Sequence, residues 1–259
     1  MNLTGAVIIV TGSATGLGSA TAKLASSKGA NVVINYTKSE TEANETAAAC
    51  RELGAETLLC RADVSVDQDC RRMAAEAVAK WGRIDGLVNN AGQSVFASSA
   101  DLESLTAEDF LHVYSVNVVG AYQMVRATAP HLKVSGEGAI VNVSSISSFT
   151  GAGSSIAYAA SKGALNTMTV SLARALAPEV RVNAVSPGLF PSRWWSEGLG
   201  EERYHRLVDQ FVSAVPLKAA ATPETLAESV VWLLEGAKFI TGENIMIDSG
   251  MHLLGFQPT

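Results

Sequence analysis

Apolar residues along the chain come in short, β-branched runs separated by longer stretches with helical spacing. Residues 6–11 read as a strand, 16–28 as a helix and 31–36 as a second strand. Residues 39–53 follow as a helix, opened by Ser39 and Glu42 at capping-box spacing. Further strands are predicted at 57–60, 86–88, 139–143, 180–185 and 244–247, and helices at 67–81, 107–133, 155–176 and 223–235. Several of these strands are apolar at every position rather than at alternate ones, the pattern of a sheet covered on both faces. Regular strand–helix alternation with right-handed crossovers predicts an α/β fold: one doubly wound parallel sheet of about seven strands with helices on both faces.

No linker or repeat divides the 259 residues, so a single domain is expected. One segment, residues 189–216, breaks the rhythm. It holds Phe190, Trp194, Trp195, Tyr204 and Phe211, five aromatics where even spacing of the chain's 7 Phe, 5 Tyr and 4 Trp would place about two. An insertion so rich in aromatics between the last two strands is expected to form a substrate lid over an apolar pocket; core packing or a subunit contact are the alternatives.

Composition excludes more than it proposes. Net charge is −6 with no basic block, which argues against sequence-independent nucleic-acid binding. No apolar run approaches the length of a membrane span, and the first strand-like run is too short for a signal-peptide core, so a cytoplasmic location is expected. Cys50, Cys60 and Cys70 match no metal-ligand spacing and are expected to be reduced, packed thiols. His112, His131, His205 and His252 form no close pair, so no metal site is expected.

Two local patterns carry chemistry. Thr11-Gly12-Ser13-Ala14-Thr15-Gly16-Leu17-Gly18 follows the first strand and opens the first helix. A ligand phosphate needs this arrangement: a turn without side chains, close backbone approach, then free N–H groups at the positive end of a helix. The second pattern is Tyr158-Ala159-Ala160-Ser161-Lys162, which puts a phenol and an ammonium on one helix face. At an effective dielectric of ~20, charges ~5 Å apart interact by roughly 3 kcal/mol, enough to lower the phenol pKa by about 2 units.

The TGxxxGxG loop followed by YxxxK resembles the short-chain dehydrogenase/reductase family, in its single-domain, Rossmann-like form. Further motifs occur in the family's order: Asn89-Asn90-Ala91-Gly92 after the fourth strand, Asp63-Val64 after the third, Asn117, Ser145 and Pro187-Gly188. The resemblance implies an enzyme that interconverts a secondary alcohol and a ketone by hydride transfer. Tyr158 would be the general acid/base, and Ser145 (rather than Ser144) the donor to the substrate oxygen. Lys162 would tune Tyr158 and hold the nicotinamide ribose, and Asn117 would anchor a water in a proton path.

The same resemblance assigns Gly12, Ser13, Thr15, Gly16, Leu17, Gly18, Asp63, Val64, Asn90, Ala91, Gly92, Pro187, Gly188, Leu189 and Ser192 to the cofactor, with Tyr158 and Lys162. For Asp63, capping the following turn is the alternative. Ser192, behind Pro191, stands where the family commonly has a Thr that contacts the nicotinamide carboxamide.

At the end of the second strand, Tyr36-Thr37-Lys38-Ser39 offers hydroxyls and a cation but no carboxylate for a ribose 2′-hydroxyl. NADP(H) is therefore favoured, with NAD(H) the alternative, although Thr15 stands where many NADPH-using relatives carry Arg. The expected partners are a small alcohol or ketone and further copies of the chain, as a homotetramer. Pairing would use the long helices, and Trp232, Phe239 and the apolar tail 251–256 would form a second interface. A 3-oxoacyl-carrier-protein reductase is the alternative within this chemistry, disfavoured by acidic charge and by the absence of basic residues in Ala177-Pro178-Glu179. A non-catalytic cofactor-binding regulator would have lost Tyr, Lys or Ser, and an epimerase would need a longer C-terminal substrate region.

Overall fold

A computed structural model describes residues 1–192, 194–195, 198 and 200–254. Four positions of the 189–216 insertion (Arg193, Ser196, Glu197, Leu199) and the tail residues Gly255 and Phe256 therefore lie outside the described residues. Seven strands form one sheet in the order β3-β2-β1-β4-β5-β6-β7. They are β1 (Val7–Val10), β2 (Asn31–Tyr36), β3 (Thr57–Arg61), β4 (Gly86–Asn89), β5 (Gly138–Val143), β6 (Val180–Pro187) and β7 (Asn244–Ile247). Every neighbouring pair is parallel.

The strands' continuous apolar character is explained by two cores, one on each face. Ile8, Val10, Val32, Ile34 and Val141 pack under α1 (Gly16–Ser27), α2 (Glu40–Glu52) and a helix at Pro223–Glu235. Ile9, Val33, Leu87, Ile140 and Val182 point the other way, under α3 (Asp67–Trp81), α5 (Ala121–Ser135) and α7 (Ile156–Leu176). Fully burying one such side chain stabilises the fold by about 1.5–3 kcal/mol. Further helices among the described residues include α4 (Ala107–Tyr114), the short α6 (Ser147–Thr150), α8 (Glu201–Ala214) and α9, the Pro223–Glu235 helix.

Two expectations need correction. Ser39 is the N-cap of α2, but its side chain does not accept from the first turn, so the reciprocal box with Glu42 is not formed. The helix predicted over 107–133 is interrupted: α4 ends at Tyr114, residues Ser115–Gly120 form a π-helical turn, and α5 resumes at Ala121. Gly120 explains part of this, since a Cβ there would lie 2.7 Å from Val64 Cγ2, so the helix is drawn tightly onto the strand-3 loop.

The strand order reverses between β1 and β4, and in such sheets ligands bind beyond the carboxyl ends at that switch point. Both sequence motifs that end these strands, the glycine loop and Asn90-Ala91-Gly92, lie there.

Candidate active site

Hydrogen bonds hold the glycine loop from behind. Thr11 Oγ1 accepts from the N–H groups of Asn90 and Ala91, each at 2.9 Å. Asn90 Nδ2 donates to the carbonyls of Thr11 (2.9 Å) and Gly12 (3.0 Å). Gly12 has φ +60°, and a Cβ there would stand 3.0 Å from the Ala91 Cα. Gly18 is tighter still: its Cβ would be 2.5 Å from both Asn90 Nδ2 and the Gly12 carbonyl. Gly16, at φ +57°, has nothing within 4 Å and opens outward. Thr15, the N-cap of α1, makes no side-chain cap, so the first-turn N–H groups lack that acceptor.

Ser13 and Asn35 organise this loop. Ser13 is fully buried: its hydroxyl donates to the Val10 carbonyl (2.7 Å) and accepts from the Asn35 N–H (2.9 Å). Its own N–H is bonded to the Asn35 carbonyl (2.9 Å). Asn35, which the sequence reading did not single out, accepts from the Gly12 N–H (2.9 Å) and donates to the Cys60 and Ala62 carbonyls. Its only signal was an amide directly after the apolar run Val32-Val33-Ile34.

A cavity of about 710 Å³ runs from this loop to the carboxyl ends of β5 and β6. It is lined by Gly12, Thr15, Gly16, Leu17, Tyr36, Thr37, Lys38, Asp63, Val64, Asn90, Ala91, Gly92, Ser145, Tyr158, Lys162, Pro187, Gly188 and Ser192. Of the residues assigned to the cofactor by sequence, Ser13 and Gly18 lie behind the wall, and Leu189 lines a neighbouring pocket instead. His112 and Val116 also line the cavity; nothing in the sequence marked them. Asp63 Oδ1 accepts from the Ser65 N–H (2.9 Å) and hydroxyl (2.7 Å), so this carboxylate does cap its own turn. Lys38 is exposed and has no ion-pair partner among the described residues.

These residues fit a dinucleotide. Besides the cradle that a Cβ on Gly18 would fill, the buried Ser192 Oγ has no hydrogen-bond partner among the described residues, although it lines the cavity. An unsatisfied buried hydroxyl costs about 1–3 kcal/mol. Ser192→Ala is therefore expected to raise the melting temperature of the cofactor-free protein by a few degrees (about 2–4 °C per kcal/mol) while weakening cofactor binding. A lower melting temperature with unchanged cofactor affinity would show that the hydroxyl has no ligand-binding task.

Tyr158 and Lys162 lie in the first two turns of α7, whose N-cap Ser155 accepts from the Tyr158 N–H (3.2 Å). Both side chains are buried. The Ser145 hydroxyl acts on the Tyr158 phenol, holding its pKa down against burial, and both side chains line the cavity. Ser145 Oγ accepts from the Ser147 N–H and meets the Ser147 hydroxyl, each at 3.1 Å. Ser144 turns away, donating to Asn166 Oδ1 (2.6 Å).

Asn117 sits in the π turn. Its amide accepts from the Gln93 N–H (2.7 Å) and donates to the Gln93 carbonyl and Ser161 Oγ, each at 2.9 Å. That side chain is fully used in fixing the loop after Gly92. A Cβ on Gly92 would lie 3.7 Å from Asn117 Oδ1 and 3.8 Å from Lys162 Nζ, so three separate motifs converge within one contact shell.

The electrostatics differ from the sequence expectation. Lys162 Nζ donates to the Val143 carbonyl (2.8 Å) and lies 5.6 Å from the centre of the Tyr158 ring. Burial is the leading influence on both groups: it pushes the Tyr158 phenol up to about 12, with the Ser145 hydroxyl acting the other way, and the Lys162 ammonium down to about 8. The ammonium does not bring the phenol below its ordinary value, because desolvation outweighs an ammonium committed to a carbonyl.

A second pocket of about 610 Å³ shares Ser145, Gly188 and Trp195 with the cavity. Its wall is mostly apolar, with Phe96, Ile146, Leu189, Leu207, Phe211 and Met251. Trp194 lies 5.2 Å from the Tyr158 ring, and Phe96 packs edge-on against Trp194 (5.7 Å) and Trp195 (5.8 Å). Phe96 was not anticipated; it comes from the loop after β4, and only tertiary folding brings it to the insertion.

No group of three or more His, Cys, Asp or Glu side chains among the described residues is placed to hold a metal ion. No helix among them is long and apolar enough to cross a membrane.

Comparison with known proteins places this geometry. Residues 12–252 match the family model described as enoyl-(acyl carrier protein) reductase. The chain is 40% identical over 248 residues to the Streptomyces violaceoruber granaticin polyketide synthase protein named ketoacyl reductase 2, covering 96% of each. A solved structure described as a short-chain dehydrogenase/reductase from Burkholderia xenovorans superposes with a TM-score of 0.90 at 38% identity, over 96% of this chain and 98% of that one. NAD⁺-bound xylitol dehydrogenase superposes with a TM-score of 0.85 at 28% identity, over 96% and 100%. The chain is an oxidoreductase and belongs to the short-chain dehydrogenase/reductase family.

Proposed function

We propose that the chain is an NADP(H)-dependent oxidoreductase that interconverts a secondary alcohol and a ketone, with Tyr158 as general acid/base. One observation carries this reading: Ser145 lines both the glycine-loop cavity and the apolar pocket, and Tyr158 and Lys162 line that cavity with it. The bound nicotinamide supplies or accepts the hydride. Ser145 donates to the substrate oxygen and orients it, and Tyr158 gives that oxygen a proton as alkoxide character develops. Lys162 holds the nicotinamide ribose hydroxyls and favours the ionised phenol. Asn117 fixes the loop between cofactor and substrate, leaving its backbone to anchor a water toward Lys162.

The adenosine end supports NADP(H). Thr37, Lys38 and Ser39 line the cavity, and Lys38 has no ion-pair partner among the described residues. Lys38→Ala is expected to weaken NADPH binding by about 10- to 100-fold, the worth of one charge-assisted hydrogen bond, and to leave NADH binding unchanged. Equal losses for both cofactors, or tighter wild-type binding of NADH, would reverse the preference.

Residues 189–216 supply the lid over the apolar pocket, with Trp194 and Trp195 as its inner face. Exposed Leu111, Tyr122 and Val170 on α4, α5 and α7, with Trp232 and Phe239 near β7, support a homotetramer. A cytoplasmic location completes the reading. Reduction of a 3-oxoacyl thioester is the second reading, favoured by the likeness to a protein named ketoacyl reductase.

A further inference from the structure

The apolar pocket carries a single ionisable side chain among its described lining residues, Arg203, and no carboxylate. Arg203, Leu207 and Phe211 follow at intervals of four on α8, so one stripe of this helix faces the pocket and ends in a guanidinium. The neighbouring Glu202 is taken by Arg206 at 3.1 Å, and Arg203 has no ion-pair partner among the described residues.

The other end of the stripe lies at the reacting centre. A Cβ on Gly188, which lines both the cavity and the pocket, would be 3.4 Å from Phe211 Cζ. Eight residues of helix separate the backbones of Phe211 and Arg203, about 12 Å along the axis. The pocket therefore has a hydroxyl end at Ser145, an apolar middle, and an exposed cationic mouth.

We propose that Arg203 reads an anionic group on the substrate, so that the enzyme takes ketones or secondary alcohols bearing a carboxylate or phosphate beyond an apolar body. This rests on the alcohol/ketone reading above. Guanidinium binds either anion through paired N–H donors, which a neutral ester cannot match in charge. The anion has two sources: the substrate's own acid group, or the phosphate of a carrier thioester arm.

The test compares wild type with Arg203→Gln on methyl ketones ending in a carboxylate, with about 6–12 Å between the two groups, and on their methyl esters. The coenzyme A thioester of a 3-oxo acid forms a third arm. Wild type is expected to prefer acid over ester by about 10- to 100-fold in kcat/KM, and Arg203→Gln to abolish that preference while leaving the esters unchanged. If only the thioester loses rate in the variant, the anion is a carrier phosphate. Equal effects on acid, ester and thioester, or none on any, would overturn the proposal.

If no compound turns over, binding of nonanoate and nonanol to the cofactor-loaded protein, followed by tryptophan fluorescence, decides it. The carboxylate should bind more tightly in wild type and lose that advantage in the variant; equal binding in wild type refutes an anion site. Failure of the alcohol/ketone reading would appear separately, as no reduction of any ketone (acid, ester or thioester) by the wild-type enzyme.

Discussion

Tyr158→Phe is expected to lower turnover by about 100- to 10,000-fold while leaving cofactor binding close to wild type. The variant removes one oxygen. It keeps the ring against Trp194 at 5.2 Å, and Lys162 keeps its bond to the Val143 carbonyl. The stability cost of losing that hydroxyl is expected to be about 1 kcal/mol. A loss confined to kcat would identify the phenol as the proton carrier, since binding surfaces are unaltered.

The pH dependence follows from the same pair. With Lys162 near 8 and Tyr158 near 12, the pair gives up its first proton around pH 8, from the ammonium. Ketone reduction needs the fully protonated pair, so kcat/KM should be flat below that pH and fall above it. Alcohol oxidation needs phenolate beside ammonium, which is the pair with one proton lost, so its kcat/KM should rise toward that pH and then level. Initial rates in both directions between pH 6 and about 10 check this, and Lys162→Met should remove the break.

Gly18→Ala is the second large effect, and it acts on the other end of the site. The new methyl would sit 2.5 Å from Asn90 Nδ2 and the Gly12 carbonyl and 2.9 Å from the Ser13 Cα. Backbone must move, and the bonds from Asn90 to Thr11 and Gly12 move with it. Overpacking of this kind costs about 1–3 kcal/mol. Melting should fall by about 4–8 °C for a 2 kcal/mol loss, and the cofactor-induced rise in melting temperature should disappear. Gly16→Ala is the control for stability: its Cβ meets no protein atom, so its cost to folding is the penalty of a positive φ. Wild-type cofactor affinity in Gly18→Ala would mean that the loop does not cradle a phosphate-bearing ligand.

Much of the fold could be read from the chain because its strands are buried on both faces. Ile8, Ile9 and Val10 belong to opposite cores, so the run has to be apolar throughout. Most of the candidate site's motifs were legible for a related reason: except for Asn117 in the π turn, each sits at a strand end or in a helix's first turns, where local geometry is set within a few residues. What escaped was set by distant contacts. The π turn at Ser115–Gly120 depends on Gly120 meeting Val64, which no helical periodicity encodes. Asn35 acts through Gly12, Cys60 and Ala62 on three other segments. The Tyr158–Lys162 spacing placed both groups on one face but could not show that Nζ turns to Val143, or that burial would dominate their protonation.

The central claim is hydride transfer between a nicotinamide and a carbonyl carbon beside Tyr158. The most direct measurement supplies reduced NADP deuterated at both positions of its transferring carbon, with a panel of ketones, and locates the label in the product by mass spectrometry. One deuterium on the new carbinol carbon per cofactor oxidised, absent with Tyr158→Phe, is the predicted result. A carbinol carbon without label while cofactor is oxidised, label lost to water, or transfer undiminished in the variant, would contradict it.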